Sequence, residues 1–227
     1  MIQKKNSWAI YSEIRVRPPF VIRADGRGFG KVLRDRNKPY DIEFARSIVD
    51  AAVSVFDDSG LAPLLAYIFS DEINLLFVDA PFNGRVEKLD SVVAGFLSGS
   101  LSVSLGKVVS FDSRVIPISA EETLKYLTFR QDEAWRNHVF SYGFYALISD
   151  GKSPERAMEI LRGKKESEIH EMLFSRGTNL AKTPAWQRRG VLVYRAATET
   201  CQNWDLPLFK SGVGRALIEE IVGRRIP

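Results

Sequence analysis

Two apolar runs, "PLLAYIFS" and "INLLFVDA", are separated by nothing but Asp71 and Glu72. So short a connection leaves them one arrangement, an antiparallel hairpin with two carboxylates at its tip. The rest of the chain must fit round it. Upstream, "PPFVIRAD" reads as a strand, because the prolines fix an extended entry and Phe20, Val21 and Ile22 follow. "YDIEFARSIVDAAVSVFDDSG" reads as a helix, its apolar residues Ile42, Phe44, Ala45, Ile48, Val49, Ala52, Val53 and Phe56 at helical spacing and Gly60 ending it. Downstream, "RVEKLDSVVAGFLSGSLSVSL" is a second helix and "VVSFDSRVI" a strand. The order is βαββαβ, the ferredoxin-like split motif of an α+β fold. After Pro117 the pattern turns helical, with Ser119 and Glu122 as a capping box. Charged helical sequence runs to about residue 175, "RRGVLVYRAATET" reads as a strand, and the C-terminus as a short helix. The division expected is a core at 1–117 and a mostly helical extension at 118–227, with one late strand, packed on it.

Composition sets bounds. The chain has 227 residues, 45% hydrophobic, enough for a sizeable core. A single cysteine, Cys201, excludes an internal disulfide or thiolate cluster and fits a reducing, cytoplasmic setting. "MIQKKNSWAI" has no apolar stretch of signal-peptide type, and no run is long enough to span a membrane. The net charge of +4 leans towards an anionic partner without identifying one.

The acids point to chemistry. Asp25 ends the first strand, and Asp71 and Glu72 sit on the hairpin. In a ferredoxin-like sheet the strands that carry them are central neighbours, so Asp25 and Asp71 can face one another. Carboxylates that close repel unless a cation lies between them. Mg²⁺ takes oxygen ligands and substrate phosphates, and two such ions about 3.5–4 Å apart can activate an attacking oxygen and stabilise a leaving one. The turn after Asp25 is "GRGFG": small residues at Gly26, Gly28 and Gly30, flanking Arg27 and Phe29, let a triphosphate lie against the main chain, and Gly26 can offer its carbonyl to a metal. Neither the dinucleotide fingerprint nor the Walker loop fits this spacing. Taken singly, each acid also reads as an ordinary turn residue.

Together, "RADGRGF", "NKPYD", "YIFSDEINLLF", "FDSRV", "RQDEAWRN" and "LRGKKESEIHEMLFSRGTNLAKTPAWQRRGV" occur in an order that resembles the tRNA(His) guanylyltransferase superfamily. The resemblance implies a polymerase-like palm adding nucleotides in the 3′-to-5′ direction. It implies two Mg²⁺ held by Asp25, Asp71 and the Gly26 carbonyl, with Glu72 beside them. Arg23, Arg27, Lys38, Asp41 and Ser70 match positions that contact nucleotide or phosphates. Arg114 and Arg130 are expected to contact tRNA or phosphate, as are Arg136, Asn137, Lys164, Lys165, Arg176, Lys182, Arg188 and Arg189 in the basic later half. Where guanylyltransferases proper carry His-Ile-Asn-Asn, this chain has Trp135-Arg136-Asn137-His138, and Gly30 replaces another family histidine. The sequence therefore looks more like the branch that repairs truncated tRNA 5′ ends against a template. The implied partners are tRNA, ATP and GTP, with no membrane, and the implied assembly is a homo-tetramer.

A nucleotidyl or diguanylate cyclase would use similar acids, but needs no long basic extension. A plain RNA-binding module has no use for carboxylates that repel phosphate. His138 and His170 read as ordinary helical residues, "LRGKKESEIHEMLFSR" as a solvated face with a Lys164–Glu168 pair or a tRNA-facing element. Trp135, Trp186 and Trp204 read as core or base-stacking residues.

Overall fold

The computed structural model describes residues 9–196 and 199–223. The opening "MIQKKNSW", read above as no signal sequence, lies outside the described residues. The strands are β1 (Phe20–Gly26), β2 (Leu65–Phe69), β3 (Glu72–Phe77), β4 (Phe111–Pro117), β5 (Val191–Ala196) and β6 (Glu199–Asn203). The helices are α1 (Phe29–Val32), α2 (Ile42–Asp57), α3 (Val86–Leu105), α4 (Glu122–Ser149), α5 (Pro154–Leu161), α6 (Glu166–Phe174), α7 (Ala185–Arg189) and α8 (Gly212–Gly223). The strands form one six-stranded sheet in the order β4-β1-β3-β2-β5-β6. Its first four members are the expected α+β palm, with β1 and β3 paired antiparallel at the centre.

Strand alternation sorts side chains to two faces. Phe20, Ile22 and Ala24 of β1 and Ile73, Leu75 and Phe77 of β3 point to one face, which α2 and α3 cover with Phe44, Ile48, Val55, Leu89, Val93 and Leu97. α2 starts where it does because the Asp41 carboxylate accepts from the Phe44 N–H at 2.8 Å. The opposite face carries Val21, Leu76, Leu65 and Tyr67, and is covered by Leu127 and Ala134 of α4 and Ile218 and Ile221 of α8. α4 is longer than the sheet is wide. Its second half carries Val139 and Leu147 into a separate cluster with Leu161, Ile169 and Leu173 of α5 and α6. One stripe of this helix thus serves two cores.

Two details differ from expectation. "RRGVLVYRAATET" holds two strands, not one: β5 pairs with β2 inside the palm sheet, and β6 pairs with β5. The β-branched and aromatic run hides the break: β5 ends at Ala196 and β6 begins at Glu199. At the start of α4 only part of the capping box appears: the Ser119 N–H donates to the Glu122 carboxylate at 2.8 Å, and the N-cap position falls on Glu121, whose side chain makes no cap bond. No helix among the described residues is long and apolar enough to cross a membrane.

Candidate active site

The register of β1 builds a row of acids. Asp25 stands opposite Glu72 on β3 and opposite Asp112 on β4. One step along the same face, Arg23 stands opposite Asn74 and Arg114. Like charges directly across a sheet repel, and each acid is held by an arginine, along its own strand, diagonally across the sheet or from a helix. Asp25 Oδ2 accepts from Arg23 Nε at 3.2 Å and pairs with Arg114 Nη2 at 3.0 Å. Arg114 also donates to Asp112 at 2.9 Å.

Asp71 belongs to the turn itself. Its main-chain carbonyl accepts from the Gly26 N–H at 3.1 Å, which fastens the hairpin tip to the mouth of β1. Ser70, at a positive φ of 52°, aims its hydroxyl at Asp71 Oδ1, 3.1 Å away. Burial pushes the Asp71 carboxyl above the ordinary aspartate range; Ser70 pulls it back, and the charge of Asp25 pushes it up again.

Glu72 is placed differently. Its side chain is buried and clasped by Arg130 of α4, with Nε–Oε1 at 2.9 Å and Nη2–Oε2 at 2.5 Å. Asn74 Nδ2 donates to the same carboxylate at 2.8 Å, and the Tyr126 hydroxyl donates to Asn74 Oδ1 at 2.6 Å. Burial raises the Glu72 carboxyl while Asn74 and Arg130 pull it down, the net being upward. Arg130, expected to contact tRNA or phosphate, is spent inside the fold instead: its side chain is only 10% exposed, lies over the Phe69 ring and is paired with Glu72. The signal was present in the sequence, since Arg130 lies in the buried stripe Thr123, Leu127, Gln131, Ala134 and His138. Asn74 and Tyr126 were missed because an amide in an apolar strand and a helical tyrosine carry no motif.

The glycine turn has mixed causes. Gly28 takes φ 68° as the residue before α1, a conformation that suits glycine. A Cβ on Gly26 would lie 2.7 Å from the Phe29 ring, so Gly26 is small to seat that buried phenylalanine. A Cβ on Gly30 would meet nothing. Arg27 is exposed beside them.

A cleft opens next to Ser70. Lys38, Tyr40, Asp41, Ser70, Tyr145 and Trp186 are among its lining. Lys38 donates to the Leu33 carbonyl and sits 5.6 Å from the Tyr145 ring centroid. Asp41, besides capping α2, accepts from the Asn37 N–H at 3.2 Å and faces Arg36 at 3.4 Å.

The later basic residues divide. Arg188 and Arg189 are half-buried and donate to the Thr183 and Leu206 carbonyls, at 2.9 and 2.8 Å. Arg176 is bonded to Asp150 and Arg136 to Glu133. Asn137, Lys164, Lys165 and Lys182 are exposed, with Lys164 at 3.9 Å from Glu168. In the Trp135–His138 block, Trp135 Nε1 donates to Glu166 at 2.7 Å and its ring stacks on buried His138 at 5.6 Å. Burial, with the Arg188 charge next, lowers the His138 pKa to about 4.

Among the described residues no group of three or more His, Cys, Asp and Glu is arranged to hold a metal. The set that fits a hard divalent cation is smaller: the carboxylates of Asp25 and Asp71, tied together through the Gly26–Asp71 bond, with the negative charge of one raising the other. An oxygen donor set of that kind suits Mg²⁺ and not a soft metal.

An antiparallel palm sheet, with an acid pair at the mouth of its central strand and a cleft beside it, defines a palm-type fold. Residues 5–123 match the "tRNAHis guanylyltransferase" family and residues 121–216 the "Thg1 C terminal domain" family, so the chain belongs to the tRNA(His) guanylyltransferase family. It is 26% identical over 215 residues to tRNA(His) guanylyltransferase 1 of Arabidopsis thaliana, covering 88% of this chain and 38% of that protein. It is 29% identical over 199 residues to the Schizosaccharomyces pombe tRNA(His) guanylyltransferase, covering 81% and 75%. Its fold is similar to that of a bacterial Thg1-like protein solved in complex with ATP (TM-score 0.80, 20% identity, 95% of this chain and 96% of that one). It is also similar to the Saccharomyces cerevisiae enzyme (TM-score 0.73, 23% identity, 88% and 96%).

Proposed function

We propose that this chain is a nucleotidyltransferase that adds nucleotides, in the 3′-to-5′ direction, to the 5′ end of tRNA. The observation that carries the reading is the pairing of Asp25 and Asp71 at one end of the sheet, beside a cleft lined by Lys38, Tyr40, Asp41 and Ser70. Two Mg²⁺ ions on Asp25, Asp71 and the Gly26 carbonyl would supply Lewis-acid activation of an oxygen nucleophile and neutralise the leaving phosphate.

The chain's own residues do the rest. Arg23 and Arg114 hold the Asp25 carboxylate in place on the sheet face. Ser70 and the hairpin fix Asp71, and Glu72 stays buried on Arg130, so its role is to hold the tip rather than touch substrate. Lys38 and Arg27 lie where triphosphate charge would be met. Chemistry of the family type runs in two steps. The RNA 5′-phosphate attacks the α-phosphorus of ATP or GTP, and pyrophosphate leaves. The 3′-hydroxyl of an incoming triphosphate then attacks the activated 5′-phosphate, and the nucleoside monophosphate leaves.

Template-dependent repair is favoured by the Trp135–His138 block. An indole fixed between Glu166 and His138 stands where a free imidazole would be needed for recognition of tRNA(His) alone. The names of the relatives favour the other reading, addition of one G to tRNA(His). Labelled tRNAs truncated at the 5′ end, given ATP and all four triphosphates, decide between them. Repair predicts G opposite C and U opposite A; G added whatever base stands opposite returns the tRNA(His)-specific reading. Asp25→Asn and Asp71→Asn should each lower addition by about 10² or more with RNA affinity little changed. Near-normal turnover would overturn the assignment of these acids.

A further inference from the structure

Trp186 has two sides. One lines the cleft beside Ser70; the other lines an open groove made with Ile42, Arg46 and Asp50 of α2 and with Gln202 and Trp204. We propose that this groove binds an unpaired nucleotide of the RNA, stacking its base on Trp204 and meeting its phosphate with Arg46; this rests on the reading that the chain acts on RNA.

The lining has the chemistry of a nucleotide. Trp186 and Trp204 meet edge to face, centroids 6.1 Å apart at 76°, and the Trp204 indole N–H is fixed by the Gln202 amide oxygen at 2.9 Å. That holds a flat, rigid wall, and a flat apolar wall selects a planar ligand. Gln202 keeps its amide hydrogens and Asp50 its carboxylate, a donor and an acceptor for the edge of a base. Ile42, Arg46 and Asp50 are spaced four apart on α2 and so share one exposed face. Arg46 is 60% exposed and, among the described residues, paired only with exposed Glu43, a contact weak enough for the guanidinium to turn to a phosphate. Trp186 also stands edge-on to Tyr40, at 5.8 Å and 84°, so the groove and the cleft share a continuous aromatic partition. An open groove on that side suits a residue within a strand, whose neighbours run on past either end.

The test uses the full chain and a single-stranded ribotetramer containing 2-aminopurine, whose fluorescence is quenched on stacking. Quenching should saturate. Trp204→Leu should weaken binding about tenfold or more, while Trp204→Phe, which keeps a ring, should retain most of it. Arg46→Ala, at an exposed position, should weaken binding and flatten the slope of log K against log salt by about 0.7. GMP should compete poorly. Equal affinity of wild type, Trp204→Leu and Arg46→Ala overturns the proposal, as does tight competition by GMP, which makes a free nucleotide the occupant. Nucleotide addition is assayed in parallel on RNA duplexes with and without unpaired ends. Wild type that binds the tetramer but extends neither duplex overturns the proposed function and leaves the groove standing. Wild type that extends both equally, with Trp204→Leu unchanged, overturns the groove alone.

Discussion

Arg130 and Glu72 show what a single ion pair does when buried. Both side chains are about nine-tenths covered and joined by two hydrogen bonds. Removing one partner leaves a desolvated charge behind, which costs far more than the pair itself contributes. Arg130→Met should lower unfolding stability by about 3–5 kcal/mol, and Arg130→Met with Glu72→Gln should recover part of it; urea titration of the three proteins checks both. His138 makes the complementary case. Its imidazole is fully buried, bonded through Nε2 to Thr183 at 3.0 Å, and held neutral with a pKa near 4. The folded pKa lies below the unfolded one, so between them the unfolded chain binds more protons. Stability contributed by this residue is complete above the unfolded pKa and is lost as pH falls from about 6.5 towards 4, by up to about 3 kcal/mol. His138→Gln should flatten the stability–pH profile in that window, measured by urea midpoints at each pH.

Elements differ in how plainly the sequence declares them. α2 was legible as a helix from its apolar stripe, but it ends at Asp57, before the Gly60 expected to end it, and its cap, Asp41, was read in sequence as a nucleotide contact. The hairpin was legible because so short a connection leaves no other arrangement, but its turn is Ser70–Asp71, and Glu72, expected at the tip, already pairs with Phe69 and Asp25 inside β3. α4 was legible as a helix but not as to which residues it hides: one stripe crosses from the sheet to the α5–α6 cluster, and Arg130 lies within it. Arg188 and Arg189 look like nucleic-acid contacts in sequence because their carbonyl partners, at Thr183 and Leu206, are visible only in three dimensions. Between α7 and β5, Gly190 takes φ 76° and ψ −169°, and a Cβ there would stand 2.5 Å from the Ile68 carbonyl and 2.7 Å from the Tyr67 ring. Gly190→Ala combines backbone strain with a clash against a central strand, and should destabilise by about 3 kcal/mol or more. A denaturant midpoint shift without a change of slope would agree; an unshifted midpoint would show that β5 joins β2 less tightly than the geometry requires.

At the scale of the molecule, the palm and the later half share one sheet and one core. β5 supplies the hydrogen-bonding partner of β2, and Leu127, Leu192, Leu206, Phe209 and Ile218 cover Val21, Leu65, Tyr67 and Leu76. A fragment ending at residue 117 would expose that face and the edge of β2 together, both invitations to association. It should be insoluble or oligomeric on gel filtration, and a monomeric fragment with native-like circular dichroism would refute the dependence. The register of β1 has a last consequence, for inheritance. Ala24 points into the core and Asp25 to the polar row, one residue apart. A codon gained or lost between Phe20 and Asp25 would exchange the two, placing a charge in the hydrocarbon and a methyl group among the acids. A substitution there alters one side chain on one face, whereas an insertion or deletion exchanges every side chain beyond it between core and acid row.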